Sequence, residues 1–153
     1  MKDPTVNNEP ADNGETTAAI TFEDQEFYNW CDANEIDRNQ KAMDEDDRKG
    51  FEKIQRHFTA AIKEKRLVVD GDKITYTVSN KSPNAGKVLN VRRPNGRAML
   101  SMDSFKDTAG NQKLQNFIAA ICGIEKRDIA EIAGLDFKDY KVLQDIALLF
   151  LTD

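Results

Sequence analysis

Residues 135–151 constrain the fold of this chain more than any other stretch. Asp136 is placed to cap a helix running to Leu151, with Asp139 three residues on as the second acid of a capping box. Leu135 and Tyr140 can form the accompanying hydrophobic staple. Tyr140, Leu143, Ile146, Ala147 and Phe150 then fall on one helical face. Val142, Leu148, Leu149 and Leu151 widen that face almost to a full cylinder over the final turn. A helix apolar all round is buried on several sides. The spacing therefore predicts a core on one side of this helix and a partner on another.

The rest of the composition is that of one modest domain with a tail: 153 residues, 32% charged and 39% apolar. No apolar run has membrane-spanning length, and Met1-Lys2-Asp3-Pro4 does not open a signal peptide. The expected compartment is the cytoplasm, with no membrane partner. Cys31 and Cys122 lie on apolar helical faces and read as small core residues, not as a disulfide.

The net charge of −5 hides a segregation. Residues 1–47 hold 3 basic and 14 acidic side chains, residues 48–97 hold 13 and 4, and residues 98–153 hold 6 and 9. Two readings stay open: a solvated acidic tail beside a basic face, or an acidic block that screens the basic one until a partner displaces it.

Three regions are expected. Residues 1–20 form an acidic tail with hardly an apolar anchor, predicted to be disordered. Residues 21–66 form a helical region. In it Thr21 caps a short helix carrying Phe27, Trp30 and Cys31 as a docking stripe, and a longer helix runs from about Asp44 to Arg66 with Phe51, Ile54, Phe58, Ala61 and Ile62 on one side. Gly50 weakens its first turns. Residues 67–153 form an α+β domain. Leu67–Val69, Ile74–Val78 and Val88–Arg93 read as three strands of a small antiparallel meander, with a turn signal at Asp70-Gly71 and Pro94 as a stop. One or two helical turns over Arg97–Asp103 and a linker over Ser104–Gly110 follow. Next come a strong amphipathic helix over Leu114–Cys122 ended by Gly123, a short one over Ile124–Ala133 ended by Gly134, and the terminal helix.

Chemistry-bearing residues are sparse. His57 is the only histidine and flanks an apolar face, which makes it a structural residue. Asp44-Glu45-Asp46-Asp47 lacks the ligand spacing of a calcium loop and reads as a helix start. There is no phosphate loop, zinc spacing or serine elbow, so no catalytic residue, metal or cofactor is expected. Nucleic-acid binding is the competing class, since the last three helices could form a helix-turn-helix unit. Its recognition helix would show Lys138, Asp139, Lys141, Gln144 and Asp145 outward, followed by Leu148 and Leu149, a poor face for phosphates. The alternative function is therefore a nucleic-acid-binding regulator using the basic segment 48–97.

The order of residues over 74–151 resembles the small tail assembly chaperones of bacteriophages. Ile74–Val78, a loop and Val88-Leu89-Asn90-Val91-Arg92-Arg93-Pro94 are similar to that family's strand pair with its Arg- and Pro-containing end. The helix Leu114–Cys122, the Gly123-Ile124 break and Ile129–Leu135 resemble its helix, break and short second helix. Asp136–Tyr140 and Leu148-Leu149-Phe150-Leu151 resemble its closing segment. The front half lies outside the resemblance.

The resemblance implies a non-catalytic protein that binds the long helical tape measure protein and supports assembly of tail tube subunits around it. The tail tube protein and further copies of the chain are its other implied partners. The residues expected to meet a partner are Leu148, Leu149, Leu151, Phe27, Trp30, Arg92 and Arg93.

Overall fold

The computed structural model describes residues 19–102 and 110–151. The acidic tail lies outside the described residues except for Ala19 and Ile20, and so does the 104–110 linker except for Gly110. Among the described residues the fold is α+β: six helices and a three-stranded antiparallel sheet of order β1-β2-β3.

Helix α1 (Phe22–Ala33) starts at Thr21, whose Oγ1 accepts the Asp24 N–H at 3.0 Å. Helix α2 (Glu45–Lys63) starts at Asp44, whose carboxylate accepts the Asp47 N–H at 2.8 Å. It stops short of the expected Arg66 because Lys65 takes a left-handed conformation, φ 64°, and the Arg66 N–H turns back to the Ala61 carbonyl. Arg66 then leads straight into the sheet.

Strands β1 (Leu67–Asp70), β2 (Lys73–Thr77) and β3 (Val88–Val91) pair in register as Leu67–Tyr76–Leu89 and Val69–Ile74–Val91 on one face. Leu67, Ile74, Tyr76, Leu89 and Val91 are buried there, whereas Val68 and Val88 on the opposite face are more than half exposed. The alternation is that of a sheet covered on one side. The β1–β2 turn is Gly71-Asp72, one residue later than the expected signal, with Gly71 supplying φ 64°.

Helix α3 (Gly96–Leu100) follows β3. Helix α4 (Gly110–Ile121) ends at Gly123 with φ 70°. The segment expected as one short helix is a 3-10 turn, Lys126–Asp128, followed by α5 (Ala130–Ala133). Helix α6 (Phe137–Leu151) closes the described chain.

The core draws on both the 21–66 and the 67–153 regions. Phe27, Trp30 and Phe58 form an aromatic cluster with centroids 4.9–5.1 Å apart, and Trp30 meets Phe150 of α6 edge-on at 5.4 Å. Helices α2 and α4 both pack along α6. Val142, Leu143, Ile146, Ala147 and Leu149 are buried between them. Cys31 and Cys122 are free and buried, and burial pushes both thiols up to about 12. Among the described residues, no helix is long and apolar enough to cross a membrane.

A non-glycine residue in the left-handed region costs about 1–2 kcal/mol. Lys65→Gly is expected to raise the urea midpoint by the equivalent of about 0.5–1 kcal/mol, since the glycine gain is partly offset by a looser unfolded chain.

Candidate functional site

Several residues expected to meet a partner turn inward instead. Phe27 and Trp30 are 0% and 1% exposed, and Leu149 is 4% exposed. Their stripe is taken up by the chain's own core, because α2 and α6 supply the aromatic and aliphatic surface that covers it. Asp139 and Asp145, expected outward on a recognition helix, are buried as well. The apolar breadth of α6 is therefore mostly satisfied within the chain. Leu148 and Leu151 remain half-buried, and Arg92 and Arg93 are exposed.

Leu148, Leu149 and Arg93 nevertheless come together in one place. An open groove of about 590 Å³ lies at the tail of α6. Its apolar floor is lined by Ile36, Met43, Phe51, Ile54, Leu148, Leu149 and Phe150, and Pro94 and Arg93 line it as well. The volume falls within the range of ordinary ligand pockets, roughly 300–1,000 Å³. Gly50 of α2 also lines the groove, and a Cβ built there meets nothing within 4 Å. The weak spot in α2 is thus an opening in the groove wall. Arg92 and Leu151 are not part of the lining.

The groove edge is acidic. Glu35, Asp37, Asp46 and Asp47 stand on it, all exposed. Arg93 pairs with Glu35 at 3.0 Å. Glu45 meets Lys49 at 3.8 Å, so two exposed ion pairs join the acidic and basic blocks of the chain. Such pairs contribute roughly 0–1 kcal/mol each. Asn34 lines the groove too. Its Nδ2 donates to the Trp30 and Asp72 carbonyls at 2.9 and 3.1 Å, while its Oδ1 is buried and accepts no hydrogen bond among the described residues. Both neighbours of Nδ2 are carbonyl oxygens, which fixes the orientation of the amide. A buried acceptor left without a donor costs about 1–3 kcal/mol.

The head of α6 is a different kind of place. The Asp139 carboxylate is 0% exposed and accepts from the Tyr76 hydroxyl at 2.6 Å, the Ser82 hydroxyl at 2.7 Å and the Ser79 hydroxyl at 2.8 Å. The Ser79 N–H adds two contacts at 3.2 Å, and Arg66 lies 3.4 Å away. Burial alone would raise its pKa, but the hydrogen bonds from Tyr76, Ser82 and Ser79 together hold it below the usual carboxylate value. The same burial, with Asp139 beside it, pushes the Tyr76 phenol upward.

This arrangement replaces the expected capping box. Asp136 does cap α6, accepting the Lys138 N–H at 3.1 Å. The Asp136 N–H, however, goes to the Ser82 hydroxyl at 2.6 Å and not to Asp139. Ser82 thus donates to one acid of α6 and accepts from the backbone of the other.

Halfway along the helix, His57 Nδ1 meets Asp145 at 2.5 Å, which ties α2 to α6 and gives the single histidine its structural place. Burial raises the Asp145 pKa against the pull of His57. Neither acid could be found from spacing, because the partners lie 57–88 positions away. These are fastenings of the fold; the groove, which gathers three of the residues expected to meet a partner, is a candidate binding site.

Among the described residues, no group of His, Cys, Asp and Glu is arranged to hold a metal ion. Compared with known proteins, the chain matches no family model, no curated sequence and no solved structure.

Asp139 sets a pH dependence. Its folded pKa lies below its unfolded value, so its contribution is present above the ordinary carboxylate pKa and is lost as pH falls through the folded value. Asp139→Asn is expected to cost roughly 3–5 kcal/mol near neutral pH, by leaving buried donors mismatched. In urea titrations its gap from the unmodified protein should narrow below about pH 4.

Proposed function

We propose that this protein is a non-catalytic assembly chaperone of the bacteriophage tail type. It holds an apolar helical segment of the tape measure protein while tail tube subunits assemble around it. The observation that carries this reading is the convergence at the groove. Arg93-Pro94 and Leu148-Leu149-Phe150 belong to two of the three segments on which the resemblance to that family rests, and both line a single opening. Helix-in-groove recognition needs such a floor, into which side chains at i, i+3, i+4 and i+7 of a partner helix can fit. The remaining wall comes from residues 34–54, outside the resemblance, so the front half tailors the site.

Co-expression with a tape measure segment from the same gene cluster should yield a soluble complex. Equal precipitation of that segment with and without this protein overturns the reading. Gly50→Leu provides the control for folding. It restores a good helix former to α2, worth about 0.5–1 kcal/mol, while filling the opening. It is expected to raise the thermal midpoint yet abolish co-purification of the segment.

A further inference from the structure

The geometry points to a partner helix whose apolar stripe is flanked by Lys or Arg, held over the groove by its acidic rim. This rests on the reading of the groove as a helix-binding site and adds the chemistry of the occupant. Of the four rim acids, Glu35 alone has a cation among the described residues, Arg93 at 3.0 Å. Asp46 and Asp47 form no ion pair among the described residues, and Asp37 accepts only the Asn39 N–H at 2.9 Å. Capping α2 does not require them all, because the Asp44 carboxylate already takes the Asp47 N–H. Three carboxylates facing one apolar floor repel one another, and a cation from a partner relieves that repulsion while its apolar stripe covers the floor.

The same rim argues against two acidic segments of this chain as occupants. Residues 1–18 carry four carboxylates and one lysine. The exposed Ile20 and Phe22 of a second copy are followed by Glu23, Asp24 and Glu26. Both would bring negative charge to negative charge.

The test uses the full chain and three synthetic amphipathic helices of about 20 residues, roughly 30 Å long. They share one Leu/Ile stripe and carry Lys/Arg, Gln or Glu flanks, with binding read by fluorescence anisotropy. The Lys/Arg helix should bind at least about tenfold more tightly than the Glu helix, and the margin should shrink as salt is added. The combined Asp37→Asn, Asp46→Asn and Asp47→Asn variant alters only exposed side chains and should remove that margin. Equal binding of all three helices, sensitive to Gly50→Leu, overturns the charge preference and leaves the groove reading standing. Binding insensitive to Gly50→Leu, or no binding by any helix, overturns both. A dimer in light scattering that Gly50→Leu dissociates assigns the groove to a second copy and overturns the inference.

Discussion

Hiding helix α6 is the constraint on which the rest of this structure depends. Over its final turn the apolar residues run nearly round the cylinder, and a sheet of three short strands offers one face, too little to cover them. The cover comes from α2 on one side and α4 on another, with Trp30 of α1 closing against Phe150. Each interaction buries large side chains on both partners, and burying one large apolar side chain is worth about 1.5–3 kcal/mol. The front helices are for this reason part of the same core as the sheet.

Burying α6 brings two carboxylates inside with it, at a cost that only good partners offset. Asp139 is surrounded by hydroxyl and amide donors from β2 and the loop after it, and Asp145 is met by His57 of α2. The first set outweighs desolvation and the second does not, so the two acids shift in opposite directions. Their role is positional. Asp139 fastens the 79–82 loop to the head of α6, and Asp145 fastens α2 beside its middle. Residues of α2 and of the tail of α6 then line the groove together.

The groove collects features that each have a local explanation. Acids in the first turn of α2 suit the helix dipole, a glycine in its second turn weakens it, and leucines at the end of α6 extend an apolar stripe. Placed together they make an apolar floor with negative edges and an open wall. The outer face of the sheet also leaves apolar side chains, Val68 and Val88, more than half exposed.

Local patterns were enough to find most elements. Thr21 and Asp44 start their helices where side-chain oxygens meet backbone N–H groups three residues on, and the alternation at Ile74–Val78 marks a strand buried on one face. These depend on neighbours in sequence, whose geometry the residue types determine. What the leucines of α6 touch, whether Phe27 and Trp30 face a partner or the core, and where Asp139 and Asp145 point depend on groups tens of positions away. Ser82 sits in a stretch that reads as a plain surface loop, yet it takes the N–H that the capping box reserved for Asp139. The sequence by itself determined the helices, the meander and the surplus of apolar surface at the carboxy-terminal end. Only the tertiary structure decided which part of that surplus is hidden and which part faces outward, because burial is a property of packed neighbours and periodicity says only which residues share a side.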